Sequence, residues 1–130
     1  VISRGDRLEK SRDYANSSVV GVGVEDASVV LNPPAELLPE IDAGEKGFYS
    51  PARPRGMELV AVMGVVQVRA TAEKRPIQAG DLLVASIQSG YVERLDDSKP
   101  ERHRPGMLVA RALGELKKGE ALISALLISG

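Results

Sequence analysis

The sequence predicts an all-β domain, and two observations support that fold class: its short apolar segments, and the alternation of turns with apolar runs in its last third. Its apolar segments are short, rich in Val, Ile and Leu, and separated by Gly, Pro, Asp and Asn. At 130 residues the chain is long enough for one domain with its own core. Small aliphatic sheets of this kind tend to close, because closure removes exposed strand edges. We therefore expect a small closed or partly open β-barrel or sandwich.

The strands are expected where short apolar runs lie between turn residues. Within residues 57–70, Gly64 marks a bulge or a sharp bend. Beyond it, Val66 and Val68 alternate with Gln67 and Arg69, which predicts a strand with one solvent-facing side. The predicted strands are residues 7–10, 19–24, 28–31, 59–70, 82–86, 91–94, 108–112 and 122–128.

The chain is expected to form a single domain made of two β units and a loop. Residues 1–32 form the first unit, residues 33–56 a long central loop, and residues 57–130 the second unit. A loop of this length in a small domain usually carries function or is ordered by a partner. Its possible interaction residues are Phe48, Tyr49, Arg53 and Arg55.

The last third alternates turns with strands. Gly80, Gly90, Gly106 and Gly119 each stand in a turn immediately before an apolar run. Strand, turn, strand and turn in succession predict a meander, in which each strand pairs with the next.

A seven-residue motif, G-D-x-L-x-x-S, occurs twice. The first copy, "GDRLEKS", begins at Gly5 and Asp6, and the second, "GDLLVAS", begins at Gly80 and Asp81. In each copy Gly supplies an unusual backbone angle, Asp bonds a nearby N–H, Leu points inward and Ser ends the strand. The repeat predicts two similar hairpin units about a pseudo-twofold axis, with the more polar first copy nearer an edge.

The first copy overlaps the tripeptide "RGD", which begins at Arg4 and which some receptors bind. The repeat already explains its Gly and Asp, so we interpret it as a structural corner.

Composition excludes several classes of function. With 17 basic and 18 acidic residues, the chain has a net charge of -1, so no general attraction to nucleic acid or anionic lipid follows. The absence of Cys excludes disulfides and thiolate metal sites. No apolar run is long enough to span a membrane. We expect no cofactor, no metal, no nucleic-acid partner and no membrane insertion.

No catalytic constellation is visible in the sequence. The lone His103, between two arginines, is interpreted as an exposed loop residue rather than a base. Asp96 and Asp97 could help bind calcium but lack the alternating acidic pattern of known loops. "GVGVED" at residues 21–26 is not a dinucleotide fingerprint.

Self-cleavage would need a Ser or Thr hydroxyl or an Asn that cyclises, and residues 16–18 and 32–33 offer these types. Turn formation explains both stretches. The residue that would catalyse self-cleavage is therefore unknown, and we do not expect the chain to be an enzyme.

Three stretches together resemble a known family. They are "KSRDYANSSVVGVGVEDASVVLN", "LVAVMGVVQVRATAEKRPIQAGDLLVASIQSGYVERLDD" and "PGMLVARALGELKKGEALISALLI". Their order is similar to the β-rich C-terminal domain of phage tail-fibre and neck-appendage proteins and of large secreted bacterial surface proteins. Some members are of the peptidase G2 type, an intramolecular chaperone that cleaves itself off.

The resemblance implies an assembly, trimerisation or capping domain at the end of a fibrous or β-helical parent chain, on a virion or outside the cell. It implies a homo-oligomer, with three copies favoured. The alternatives are a self-cleaving intramolecular chaperone, a receptor- or glycan-binding tip, and a virion decoration protein. Because the chain starts at Val1 rather than Met, an excised domain or a cleavage product is expected.

Overall fold

The computed structural model describes residues 1–4, 7–24 and 59–128. The described residues form nine β-strands and one short 3₁₀ helix, Pro100–Arg102, and no α-helix. The all-β class is therefore confirmed. The strands are β1 (Ile2–Arg4), β2 (Arg7–Glu9), β3 (Val22–Val24), β4 (Leu59–Ala61), β5 (Val65–Thr71), β6 (Leu82–Ala85), β7 (Val92–Arg94), β8 (Leu108–Ala112) and β9 (Glu120–Leu127).

The chain divides into two compact units. One comprises Val1–Val22 with Val62–Gly130, and the other comprises Gly23–Ala61. In the first unit, β1 and β2 form an antiparallel pair. Strands β3 and β4 form a separate two-stranded sheet. Among the described residues, no helix is long and apolar enough to cross a membrane.

Five strands of the first unit pair in the order β5–β7–β6–β8–β9, and β9 pairs back with β5 to close the ring. The longest ladder joins β5 to β9 over seven residues, from Val65 opposite Leu126 to Thr71 opposite Glu120. The contact of β5 with β7, at Ala70 and Val92, is the parallel one in the ring.

The predicted meander is wrong in one connection. Strand β8 pairs with β6, not with the preceding β7. The long connection from Leu95 to Met107 carries the chain across β6, which leaves the other edge of β7 to pair with β5.

The interior of the barrel is filled by small residues. A barrel of few strands encloses little volume, so its inward positions favour small side chains. Five alanines are at most 1% exposed and lie on the barrel strands: Ala70, Ala85, Ala110, Ala112 and Ala125. Larger residues, among them Val68, Leu83 and Ile123, complete this core.

The predicted strand over residues 59–70 is interrupted. Strand β4 ends at Ala61 and β5 begins at Val65, in a different sheet. Gly64 has a φ of +94°, which produces the predicted sharp bend. Beyond the bend, the predicted alternation is confirmed: Val68 is buried, whereas Gln67 and Arg69 are exposed.

The remaining strand predictions differ mainly at their ends. Strand β8 has the predicted bounds, and β9 begins two residues earlier than predicted. Of the strand predicted over 19–24, β3 keeps the last three residues, and Val19 forms an isolated bridge with Ile2. Strand β1 was not predicted, and the strand predicted over 28–31 lies outside the described residues.

Candidate functional site

The second copy of the repeat forms a turn followed by a buried strand. The N–H of Asp81 donates to the carbonyl of Gln78 (3.1 Å), and the Asp81 carboxylate accepts from the N–H of Gln78 (2.8 Å). Between them Gly80 has a φ of +96°, a conformation that a residue with a Cβ rarely adopts. Leu83 and Ser86 of this copy are fully buried.

The first copy is not a buried equivalent of the second. Its Gly5 and Asp6 lie outside the described residues. Leu8, expected to point inward, is 44% exposed, so that prediction is wrong. It lies on β2, which pairs with β1 in a two-stranded sheet separate from the barrel. Ser11, which ends the copy, is buried.

The other predicted turn residues lie in turns. Gly90, Gly106 and Gly119 all have positive φ values, between +76° and +83°. The possible interaction residues Phe48, Tyr49, Arg53 and Arg55 lie outside the described residues, as do residues 32–33.

The residues considered for chemistry have structural roles where they are described. His103 is exposed, as predicted, and its N–H ends the 3₁₀ helix by donating to Pro100. The Asn16 side-chain oxygen accepts from the N–H of Ser18 (2.7 Å), which makes a local turn. The described residues contain no group of three or more His, Cys, Asp or Glu that could hold a metal.

Asp96 pairs with Ser98 and Arg75, and Asp97 pairs with Arg94. The Asp96 carboxylate accepts from the hydroxyl and the N–H of Ser98, and these bonds lower the pKa of Asp96 below its ordinary value. It also lies 3.7 Å from Arg75, and Asp97 lies 3.9 Å from Arg94. These contacts tie the loop after β7 to the barrel.

The chain covers one outer face of its own barrel with a segment that we call the strap, residues 11–18. Beneath it, Val84, Leu95 and Met107 form a buried apolar cluster against which Tyr14 and Ala15 pack. The strap is held by main-chain hydrogen bonds, from Ala15 to Ala85 (2.8 Å) and from Gly90 to Ser11 (2.8 Å).

An ion pair with a buried carboxylate lies beside this cluster. Glu93 lies on β7, opposite Val84 of β6, and is 2% exposed. Arg75 donates to one of its carboxylate oxygens (3.1 Å), and the guanidinium also lies over the ring of Tyr14. The Tyr14 hydroxyl accepts from the N–H of Asp96 (2.7 Å). The second carboxylate oxygen of Glu93 has no hydrogen-bond partner among the described residues.

In contrast to the surface under the strap, the outer side of β9 and of its neighbours β5 and β8 is exposed. The ladder registers place Val65, Leu126 and Arg111 in one row across β5, β9 and β8. In the next row the Gln67 amide donates to the Ser124 hydroxyl (2.7 Å). We call this surface the β9 face; it consists of Val65, Gln67, Arg69, Arg111, Leu113, Leu122, Ser124 and Leu126.

The apolar residues of the β9 face are exposed to solvent. Val65 is 63% exposed, Leu122 62%, Leu113 46% and Leu126 40%. Single exposed apolar residues are ordinary on a protein surface, but neighbouring ones on β5, on β9 and just after β8 form a patch of the kind found at interaction sites. The β9 face is therefore the candidate functional site.

Sequence reasoning missed the β9 face. The run "ALISALLI" is apolar at almost every position, which is typical of a strand buried on both sides. The run alone does not distinguish a second face covered by the chain from one left uncovered.

No protein family model, no curated protein and no solved structure matches the chain.

Proposed function

We propose that this chain is a non-catalytic assembly or capping module that associates with copies of itself through the β9 face. The observation that carries the proposal is the exposure of four neighbouring apolar residues: Val65 on β5, Leu122 and Leu126 on β9, and Leu113, which follows β8. Burying such a surface between copies would be favourable at about 25 cal/mol per Å² of apolar area.

The polar residues of the β9 face suit a protein interface. Gln67 and Ser124 already hydrogen-bond to each other, so covering them leaves fewer unpaired groups than two isolated polar side chains would. Arg69 and Arg111 lie at the margins of the face, and Arg is enriched in protein interfaces.

The family resemblance supplies the proposed context. It places the module at the C-terminal end of a fibrous or β-helical phage tail or secreted surface protein, on a virion or outside the cell. It also favours three copies. The rest of the parent chain is then the second partner.

The finer architecture of two similar hairpin units about a pseudo-twofold axis is also part of the proposal. Both motif copies end in a buried serine, Ser11 and Ser86. These two serines lie close together, because both bond to one turn. The N–H of Gly90 donates to the carbonyl of Ser11, and the N–H of Ser86 donates to the carbonyl of the next residue, Tyr91.

Sedimentation equilibrium tests the proposed function. The unaltered chain should sediment as more than one copy, and the double variant Leu122→Ser, Leu126→Ser should sediment as a single chain with an unchanged circular dichroism spectrum. Leu8→Ser is the matched control, since Leu8 is similarly exposed but lies on β2. An unaltered chain that stays monomeric at high concentration would overturn the proposal.

A further inference from the structure

Residues 1–22 form an element that has its own main-chain pairing, separate from the barrel. Strand β1 pairs with β2, and Ile2 of β1 also forms an antiparallel bridge with Val19. Beside this bridge the N–H of Val20 donates to the carbonyl of Val1 (3.0 Å). The strap, which lies between β2 and Val19, is therefore a loop whose two ends are held together by bonds that do not involve the barrel.

The barrel ladders are complete without this element. Strands β5 to β9 pair with one another around the ring, and no ladder of the ring includes a strap residue. Among the described residues, the strap adds two main-chain hydrogen bonds to the barrel, from Ala15 to Ala85 and from Gly90 to Ser11. Detachment of the strap breaks these two bonds and none of the ladder bonds. Segments held in this way open at a lower free energy than the whole fold.

The side chain of Tyr14 rests on a guanidinium that the barrel holds in place. The Arg75 guanidinium carbon lies 5.7 Å from the centre of the Tyr14 ring. Arg75 donates to the Glu93 carboxylate (3.1 Å) and to the carbonyl of Arg94 (3.2 Å), and it lies 3.7 Å from the Asp96 carboxylate. None of these three partners belongs to the strap. When Tyr14 leaves, the buried carboxylate therefore keeps its cation, and the large penalty of an unpaired buried charge does not arise.

The remaining cost of detachment comes mainly from apolar surface. The N–H of Asp96 loses the Tyr14 hydroxyl, and the carbonyl of Ala85 loses the N–H of Ala15. Once the strap has left, both groups can hydrogen-bond to water, so the net loss for each is modest. The apolar cluster under the strap loses the side chains of Tyr14 and Ala15 that pack against it. Exposure of this cluster opposes detachment in proportion to its area.

We infer that residues 1–22 are a releasable cover, which detaches from the barrel as one body while the barrel stays folded. The contact of Tyr14 with Arg75 is the latch that sets how often the cover opens. Opening presents a second apolar surface, the cluster under the strap, which the closed chain hides. The inference concerns a different surface from the β9 face and does not depend on the proposed function.

Native-state hydrogen exchange of the full chain tests the inference. The amide of Ala15, which donates to Ala85, reports on the strap, and the amide of Ile77, which donates to Leu116, reports on the barrel. The Ala15 amide should exchange at least about tenfold faster than the Ile77 amide, after correction for intrinsic rates. Urea below the unfolding transition should accelerate Ile77 strongly and Ala15 weakly, because opening of the cover exposes less surface than unfolding. Equal opening free energies and equal urea dependence at both amides would overturn the inference.

A substitution of Tyr14 tests the latch. Tyr14→Leu keeps an apolar side chain over the cluster but removes the ring face and the hydroxyl, so exchange of Ala15 should accelerate about five- to tenfold. The Ile77 amide should keep its rate. Ser17→Ala, at an exposed strap position, is the matched control and should change neither rate. Equal acceleration of both amides in Tyr14→Leu would show that the strap opens only with the barrel. An unchanged Ala15 rate would show that Tyr14 is not the latch.

Discussion

Two outer apolar surfaces of the barrel differ in whether another described segment of the chain covers them. The surface over β6 and its neighbours is covered by the strap, so that Val84, Leu95 and Met107 are buried. The β9 face leaves Leu122 mostly exposed, although it belongs to the longest ladder of the barrel. The strap-covered surface contributes to the core of the fold, whereas the exposure of the β9 face is the observation behind its proposed role as an interface.

The largest effect on the covered surface is expected at the ion pair of Arg75 with the buried Glu93. Arg75→Met leaves the Glu93 carboxylate buried without its cation, which should lower the free energy of unfolding by about 3–5 kcal/mol. Urea denaturation measures this change. The double variant Arg75→Met, Glu93→Leu should recover most of it, because the buried charge is gone. A double variant no more stable than the single one would contradict this explanation.

The apolar cluster under the strap should show the next largest effect. Met107→Ala removes a side chain that is 3% exposed and should cost about 2–5 kcal/mol of unfolding free energy. Leu122→Ala on the β9 face should change the stability of the single chain by less than about 0.5 kcal/mol. Thermal denaturation at low concentration compares the two variants. Equal losses of unfolding free energy would show that Leu122 is packed as tightly as Met107, and that the two surfaces do not differ.

A substitution at Gly106, where the strap contacts the turn before β8, is expected to lower the free energy of unfolding by a smaller amount. A Cβ on Gly106 would lie 2.7 Å from the carbonyl oxygen of Ser17, and its φ is +83°. Gly106→Ala should therefore cost about 2–4 kcal/mol, from backbone strain and from displacement of the strap.

Gly119→Ala is the matched control for that variant. Gly119 has a φ of +76° with nothing within 4 Å, so only strain of about 1–2 kcal/mol applies. If denaturation gives equal losses at both positions, the strap is not held at Ser17.

The smallest effect concerns pH. The pKa of Asp96 is lowered from its ordinary value of 3.8 mainly by the Ser98 hydroxyl. A carboxyl with a lowered pKa stabilises the fold above its ordinary value and loses that contribution as pH falls through its folded value. Ser98→Ala should move the Asp96 titration, followed by carboxyl ¹³C NMR, toward 3.8. Ser89→Ala should leave it unchanged, and an unmoved Asp96 titration in Ser98→Ala would contradict the assignment.

Local features of the barrel could be predicted from the sequence, because neighbouring residues determine them. The turn at Gly80 and Asp81 has the predicted hydrogen bond, and β8 has the predicted bounds. Turn chemistry and the alternation of Val68 with Arg69 depend only on a few consecutive residues.

The order of the strands could not be predicted in the same way. Pairing of β8 with β6 depends on where the connection from Leu95 to Met107 runs. The contrast between the two outer surfaces is also non-local, since Leu122 and Val84 lie in equally apolar runs and only the position of the strap distinguishes them.

The most direct test of the account measures the accessibility of the β9 face as assembly proceeds. The chain contains no Cys, so Leu122→Cys introduces a single thiol in the centre of the face. Glu101→Cys places one on the exposed 3₁₀ helix outside it. Maleimide labelling of Leu122→Cys should slow as the concentration of the chain rises, while labelling of Glu101→Cys stays constant. Labelling of Leu122→Cys that is independent of concentration, in a chain that sediments as an oligomer, would contradict the claim that copies meet at this face.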